Sequence, residues 1–431
     1  MNIERPMKER ILQAIKNTHN TVQKKSHLIR IPEILNELSC KLSSGDYEPS
    51  RFSCFAVKDP KIREIFAPDY KDRIVHHIFV DALEPYFDKK FIFDSYASRQ
   101  NKGIHKAVER LQRFLKKEKT TFFLQLDIQN FFPSIDKKIL FGIFLKHIKT
   151  IDELPDAEKD FLIHIAEKVI FQNPTNPPPI FTGNRHLLTS IPKHKSLFYA
   201  PPNKGLPIGS FTSQFFANLY LNELDQFIKH QLRVKYYIRY VDDFVLLAEN
   251  SQMLLDWKLK IEEFLRLRLI LAFHPQKIVL QQTTKGINFL GYIVRKNYLL
   301  VRKRVVKTFK RRLYFFNHLI DPTHFPIIDP PQTLSIAKRY RTKEIVPPSE
   351  MTLQMLNKIL ATINSYYGIF RFANSYKLRK SLYQKHFHLL KTYFEPKDVL
   401  FQVIKIRQAC IDPVRTGGCP ALLYKIQERT A

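Results

Sequence analysis

An α+β fold, with a small antiparallel sheet that carries acidic residues at its strand ends and helices around it, is what the sequence predicts. Three observations lead there. The run Tyr236-Tyr237-Ile238-Arg239-Tyr240-Val241-Asp242-Asp243-Phe244-Val245-Leu246-Leu247 sets two adjacent carboxylates between two apolar, β-branched and aromatic segments. It reads as a β-hairpin with Asp242 and Asp243 at its turn. The stretch Thr121 to Leu126, unbroken by Gly or Pro, reads as a second strand that closes on Asp127. Helical spacing flanks both: Ile34, Leu35, Leu38 and Leu42 precede a Ser43-Ser44-Gly45 stop, and a basic helical pattern begins at Val301.

Taken in order, the first hundred residues are expected to be mainly helical, with a basic strand-like piece from Phe52 to Pro68 inside them. Its Lys58, Lys61 and Arg63 either point at phosphates or line a solvated hairpin face. The segment from Phe171 to Leu206 is rich in Pro, Asn and Lys and reads as an ordered loop or insertion joining two halves of one domain. From Val301 to Leu313, Lys303, Lys307, Lys310 and Arg311 fall on one helical face, and Val306, Phe309 and Leu313 on another. Such a helix can follow a nucleic-acid backbone with its charged face while the apolar face packs. A second Pro-rich stretch runs from Asp321 to Pro348. Between Asn364 and Arg379, aromatic residues alternate with bases, a pattern that fits either base stacking or a packed helix. The last residues, 380–431, with Arg407, Cys410, Arg415 and Gly417-Gly418, fit an RNA or subunit contact as well as an exposed extension.

Composition narrows the partners. The 431 residues allow two or three packed subdomains, and 44% hydrophobic with 13% aromatic content argues against disorder. The net charge of +30, from 70 Lys and Arg against 40 Asp and Glu, calls for a polyanion. Cys40, Cys54, Cys410 and Cys419 form no Cys-x-x-Cys pair and no zinc-like cluster with His, so a reduced, cytoplasmic protein without structural zinc is expected. The N-terminus lacks an apolar signal region and no apolar run is long enough to span a bilayer, so no membrane association is expected.

The acidic residues suggest the chemistry. A pair of Asp residues at a turn is ordinary turn composition. A third carboxylate closing a separate buried strand turns the pair into a donor set. Two divalent ions roughly 3.5–4 Å apart activate an attacking hydroxyl and stabilise a departing pyrophosphate. Magnesium takes hard oxygen ligands, and Asp supplies them.

The order of motifs resembles that of a reverse transcriptase. Lys71-Asp72-Arg73, Ser95-Tyr96-Ala97-Ser98-Arg99, Leu126-Asp127 through Pro133-Ser134-Ile135-Asp136, Gly205-Leu206-Pro207-Ile208-Gly209-Ser210-Phe211-Thr212-Ser213-Gln214, Tyr240-Val241-Asp242-Asp243 and Gly286-Ile287-Asn288-Phe289-Leu290-Gly291-Tyr292 follow one another over roughly residues 55 to 295. The resemblance is to bacterial retroelement enzymes related to those of group II introns, and within them to the diversity-generating retroelements, with defence-associated enzymes similar. Most of the wider family carries Gln before the Gly of the nucleotide-pocket motif and Pro after its Ser. Here Ile208 and Gln214 hold those places.

The resemblance implies an α+β right-hand polymerase: N-terminal helices and fingers over 1–120, a palm of antiparallel sheet and helices over 121–300 with a fingers insertion at about 150–205, and a basic helical thumb with a C-terminal extension over 301–431. It implies that Asp127 and Asp242 ligate two Mg2+ ions, Mn2+ being possible, with the backbone carbonyl of Ile128 assisting and Asp243 supporting. Lys277 is implied as proton donor to pyrophosphate. Lys61 and Arg63 are implied to hold the triphosphate, and Phe132 to block a ribose 2′-hydroxyl. Gly209, with Ser210 and Ala217, would let the nascent base pair approach the backbone, with Ile208 and Gln214 in the same pocket. Phe289, Leu290 and Gly291 would grip the primer end, and Arg73, Arg99, Lys303, Lys307 and Lys310 would contact nucleic acid. The implied function is RNA-directed DNA synthesis from a structured noncoding RNA, with a DNA or RNA primer, deoxynucleotides, and an accessory protein or second copy as possible partners. Untemplated or protein-primed synthesis, for which the 19 tyrosines leave room, and a noncatalytic RNA scaffold are the alternatives.

Overall fold

The protein is described by a computed structural model over residues 7–18, 30–58, 61–326 and 352–410. Two compact units divide the chain, Met1–Gln282 and Thr283–Ala431.

Among its described residues the first unit has, in chain order, strands β1 (Ser53–Val57), β2 (Arg63–Ala67), β3 (Phe122–Asp127), β4 (Ile180–Phe181), β5 (Tyr236–Tyr240), β6 (Asp243–Ala248) and β7 (Val279–Gln282). The central sheet has the order β5-β6-β3-β7 and is antiparallel throughout. Phe244 to Ala248 are all buried, as a strand covered on both faces requires. The anticipated hairpin is present with one refinement. Its connection is only Val241-Asp242, and Asp243 already opens β6 opposite Tyr240.

Helices Tyr70–Lys90, Lys137–Ile148 and Phe211–Gln226 bring Phe79, Phe87, Phe144, Phe215 and Phe216 into one aromatic group, in the same apolar cluster as Leu124, Leu126, Phe244 and Leu246 of the sheet. The helix Ile31–Ser44 buries Ile34, Leu38 and Leu42 and stops at Gly45, whose φ of +77° is the left-handed cap expected of the Ser-Ser-Gly sequence. β1 and β2 form the basic hairpin, and β4 extends it in parallel with β1. The Pro-rich segment is therefore ordered, and its last part is tied along residues 132–137 through Leu206 N to Phe132 O, Gly205 N to Ile135 O and Lys137 N to Asn203 O.

The second unit holds β8 (Ile287–Phe289), β9 (Tyr292–Val294) and β10 (Leu299–Val301) in the order β10-β9-β8, and the hairpin β11 (Phe394–Pro396) with β12 (Ile404–Ile406). Val301 belongs to β10, so the basic helix begins at Lys303 and runs to Ile320. Lys303, Lys307, Lys310 and Arg311 are exposed on it, whereas Phe309 and Leu313 are buried. The aromatic residues of the helix Leu353–Phe372 resolve as packing: Tyr367 and Phe370 are buried, and Tyr366 stacks on Phe309 at 4.8 Å between ring centres. Residues 327–348 of the Pro-rich stretch, Arg415, Gly417, Gly418 and Cys419 lie outside the described residues. Cys40, Cys54 and Cys410 form no disulfide with one another, and burial pushes the Cys54 thiol up to about 12. Among the described residues no helix is long and apolar enough to cross a membrane.

Candidate active site

Asp127 and Asp243 face one another across β3 and β6, and Asp242 sits in the adjoining turn. A two-residue hairpin connection needs positive φ, which Gly and Asn accept readily. Here the residue is Val241 at φ +55°, a β-branched side chain in the left-handed region and hence a strained one. The neighbouring backbone is tied from several sides. Ile128, itself buried, donates its amide to Asp242 O at 3.3 Å, His274 N donates to Asp127 O at 2.8 Å, and Gln129 N donates to Ala272 O at 2.9 Å.

The three carboxylates are in electrostatic conflict. Burial, reinforced by the Asp127 charge, raises Asp242 to about 6, while Lys277 and Arg63 pull it the other way. Burial raises Asp243 to about 7, helped by Asp242 and Asp127 and opposed by the hydrogen bond from Gln125 Nε2 at 3.0 Å. Lys277 Nζ sits 2.6 Å from Asp127 Oδ1 with a side chain 40% exposed, so the lysine noted in the sequence lies in the cluster and not on a remote surface. Among the described residues no three Asp, Glu, His or Cys side chains are arranged as a ready-made metal cage. The Lys277 ammonium holding Asp127 supplies part of the missing counter-charge. The donor set itself, all carboxylate oxygen with Asp242 and Asp243 raised by burial and by the neighbouring carboxylates, suits a hard divalent cation.

The other anticipated residues divide. Lys61 and Arg63 are exposed at the end of the β1–β2 hairpin, and the charge of Arg63 reaches Asp242. Phe132 is half-buried, edge-on to Phe131 at 5.4 Å, just beyond Asn130 at φ +46°. Ile208 O accepts from Phe66 N of β2 at 2.8 Å. Gln214 Oε1 accepts from Ser98 Oγ at 2.7 Å.

Several of the other anticipated residues are engaged within the chain itself. The space a side chain at Gly209 would take is filled by this chain: an added Cβ would stand 2.7 Å from Ile65 Cγ2 and 2.8 Å from Phe66 O. Ser210 is likewise buried, bonded to Thr212 Oγ1 and near His76 Nδ1, and Ala217 is buried. Their smallness serves packing between loop, hairpin and helix. Arg99 is 5% exposed and bonds Asp88 Oδ1, Ile92 O and Ser95 O, so it staples a loop. Arg73 is half-buried and donates to Pro68 O at 3.0 Å. Phe289 is fully buried in β8 of the second unit, and Leu290 at φ +50° with Gly291 at φ +92° forms the β8–β9 turn.

Sequence reading missed Arg239 and Asp225. Both side chains are 0% exposed, with Arg239 Nη2 2.5 Å from Asp225 Oδ2 and Nε 2.8 Å from Oδ1. A signal existed, since a charged residue in the middle of an apolar strand must find a buried partner.

Residues 57–294 match the family described as reverse transcriptase (RNA-dependent DNA polymerase). The group II intron-encoded protein LtrA of Lactococcus lactis subsp. cremoris is 21% identical over 440 residues, covering 82% of this chain and 68% of LtrA. Protein YkfC of Escherichia coli (strain K12) is 22% identical over 321 residues, covering 65% of this chain and 76% of YkfC. A solved telomerase structure from Candida albicans aligns at 12% identity and a TM-score of 0.40, over 78% of this chain and 57% of the telomerase chain. With more than half of its residues in the family match and two bacterial relatives aligned along most of its length, the chain belongs to the reverse transcriptase family as an RNA-directed DNA polymerase of the bacterial retroelement type.

Proposed function

We propose that this protein copies a structured noncoding RNA into DNA, joining a primer 3′-hydroxyl to deoxynucleoside triphosphates at Asp127, Asp242 and Asp243. The observation that carries the reading is the convergence of three carboxylates from two chain segments at one end of the two central strands, with Asp127 in register with Asp243. Bound Mg2+, or Mn2+, would supply hydroxyl activation and charge neutralisation on the pyrophosphate. Asp127 and Asp242 would hold it, with the Ile128 carbonyl assisting and Asp243 supporting.

The remaining roles fall to Lys61, Arg63, Lys277 and Phe132. Lys61 and Arg63 bind the triphosphate as a hairpin of positive charge, a role supported by the field of Arg63 at Asp242. Lys277 Nζ holds a proton beside Asp127 and delivers it to the departing pyrophosphate. Phe132 is assigned the exclusion of a ribose 2′-hydroxyl, supported by its half-buried place five residues after Asp127. Phe132→Ala is therefore expected to raise ribonucleotide incorporation about 10–100-fold while deoxynucleotide incorporation changes little, read by primer extension with each nucleotide type.

The net charge of +30 and the exposed Lys303, Lys307 and Lys310 support a polynucleotide partner. Ile208 and Gln214 support a place in a diversity-generating or antiphage system of the bacterial cytoplasm, with base selection loosened at Ile208. An accessory protein or second copy would complete the particle.

The test is to purify the protein with the RNA that accompanies it, add Mg2+ and deoxynucleotides, and sequence both the RNA and the DNA made. Complementary DNA that disappears in Asp242→Ala with Asp243→Ala is the expected result. DNA unrelated to the bound RNA would replace this reading by untemplated synthesis, and absence of DNA would replace it by an RNA scaffold.

A further inference from the structure

We infer that Arg239, gripped by Asp225, is a positioning residue that fixes the strained Val241–Asp242 turn and thereby the place of the Asp242 carboxylate. The inference deepens the proposed polymerase reading and rests on it only for the consequence in catalysis.

A fully buried ion pair is weak grounds for stability, because its desolvation cancels much of its attraction and apolar residues of similar volume serve as well. Asp225 occupies Nε and Nη2 of the guanidinium and also accepts from Tyr237 Oη at 2.6 Å. The remaining nitrogen, Nη1, is turned the other way, donating to Val241 O at 3.1 Å and Asn218 Oδ1 at 3.3 Å. One planar group thus bridges the helix Phe211–Gln226 to the carbonyl of the strained residue. A lysine ammonium, a point charge without the fork, cannot span both.

The consequence falls on Asp242. Its leading peptide plane contains Val241 O, held by Arg239, and its trailing plane contains Asp242 O, held by Ile128 N at 3.3 Å. With both planes fixed, the carboxylate is confined while Val241 keeps φ +55°. Arg239 is itself clamped, its amide on Asp94 O at 2.9 Å and its carbonyl accepting from Tyr96 N at 3.0 Å, and Asn218 Nδ2 reaches Ala97 O at 2.8 Å. The restraint is therefore anchored in three chain segments, and a turn that prefers to relax is kept in one conformation.

The experiment compares the full-length protein with Arg239→Lys and with a triple variant, Arg239→Met, Asp225→Leu and Tyr237→Phe, which removes both charges and the hydroxyl that would lose its acceptor. Urea unfolding, hydrogen exchange without added metal, and single-nucleotide incorporation are measured. Expected are an unfolding midpoint close to wild type for the triple variant, exchange about tenfold faster at the amides of Val241, Asp242 and Asp243 in both variants, and kcat about 100-fold lower with the deoxynucleotide KM nearly unchanged. Wild-type exchange and wild-type kcat in either folded variant would overturn the inference. If the triple variant does not fold, Arg239→Lys decides alone by the same two readouts. A wild-type protein that makes no DNA would defeat the polymerase reading, while the exchange data would still decide the role of Arg239.

Discussion

Asp242→Asn is expected to lower DNA synthesis by roughly 1,000-fold or more and, in the same molecule, to stabilise the protein in chelator. The first effect follows from losing a charged oxygen donor at the end of the central strands. The second follows from the raised pKa values of the cluster, with Asp242 brought to about 6 and Asp243 to about 7 by burial and neighbouring carboxylates. A carboxyl whose folded-state pKa lies above its unfolded value of about 3.9 contributes stability that is complete below that value. The contribution is lost as pH rises through about 6 for Asp242 and about 7 for Asp243. At pH 8 each ionised group therefore strains the metal-free fold, and an amide of the same shape does not. Allowing for water at this half-buried site, the gain is about 1–2 kcal/mol, or a rise of about 2–6 °C in Tm. Asp243→Asn shares the stability gain, since Asn keeps the oxygen that accepts from Gln125. Melting in chelator at pH 8 and pH 5 checks the sign, because the gain must shrink at the lower pH. Adding Mg2+ should stabilise wild type more than either variant.

Gly209→Ala is the second large effect. At φ +123° the backbone is in a region L side chains rarely adopt, and the new Cβ would meet Phe66 O at 2.8 Å, a backbone atom that cannot swing aside. Strain and clash together are expected to cost about 2–4 kcal/mol and to displace β2, which begins at Arg63, from its hydrogen bond to Ile208 O. Incorporation should fall about 10–100-fold, mostly through a higher deoxynucleotide KM, because the hairpin bearing Lys61 and Arg63 moves. Gly291→Ala is the control: φ is +92° but nothing lies within 4 Å of its Cβ, so it carries only the conformational cost, about 1 kcal/mol. Equal destabilisation of the two variants would mean that contact with Phe66 and Ile65 is unimportant.

Much of this architecture is local and was legible for that reason. The two apolar segments flanking the carboxylate pair in Tyr236–Leu247, the unbroken run before Asp127 and the Leu spacing before Gly45 each describe hydrogen bonding and burial within a dozen residues, so strands, helix and turn follow from chain-local preferences. The three aspartates stood out because ionisable groups at the ends of apolar strands are costly unless they are used. Lys277 could be picked out by motif order, but its 2.6 Å approach to Asp127 depends on β7 pairing with β3, a contact between residues 150 positions apart.

The sequence by itself determined the α+β composition, the candidate carboxylates and the basic character through spacing and composition, and pointed to the family through the resemblance of its ordered motifs. Only the tertiary structure decided which basic and small residues face outward. Arg99 and Arg63 are equally cationic in the sequence, yet one is enclosed by Asp88 and two carbonyls and the other is exposed beside the carboxylates. Gly209 could serve a substrate or the chain, and the backbone of β2 claims the space. Arg239 reads as one more positive charge until Asp225, from the helix Phe211–Gln226, encloses it and turns its last nitrogen onto the strained turn. Partnership of this kind is set by long-range packing, where burial makes a polar group dependent on a partner that no local pattern names.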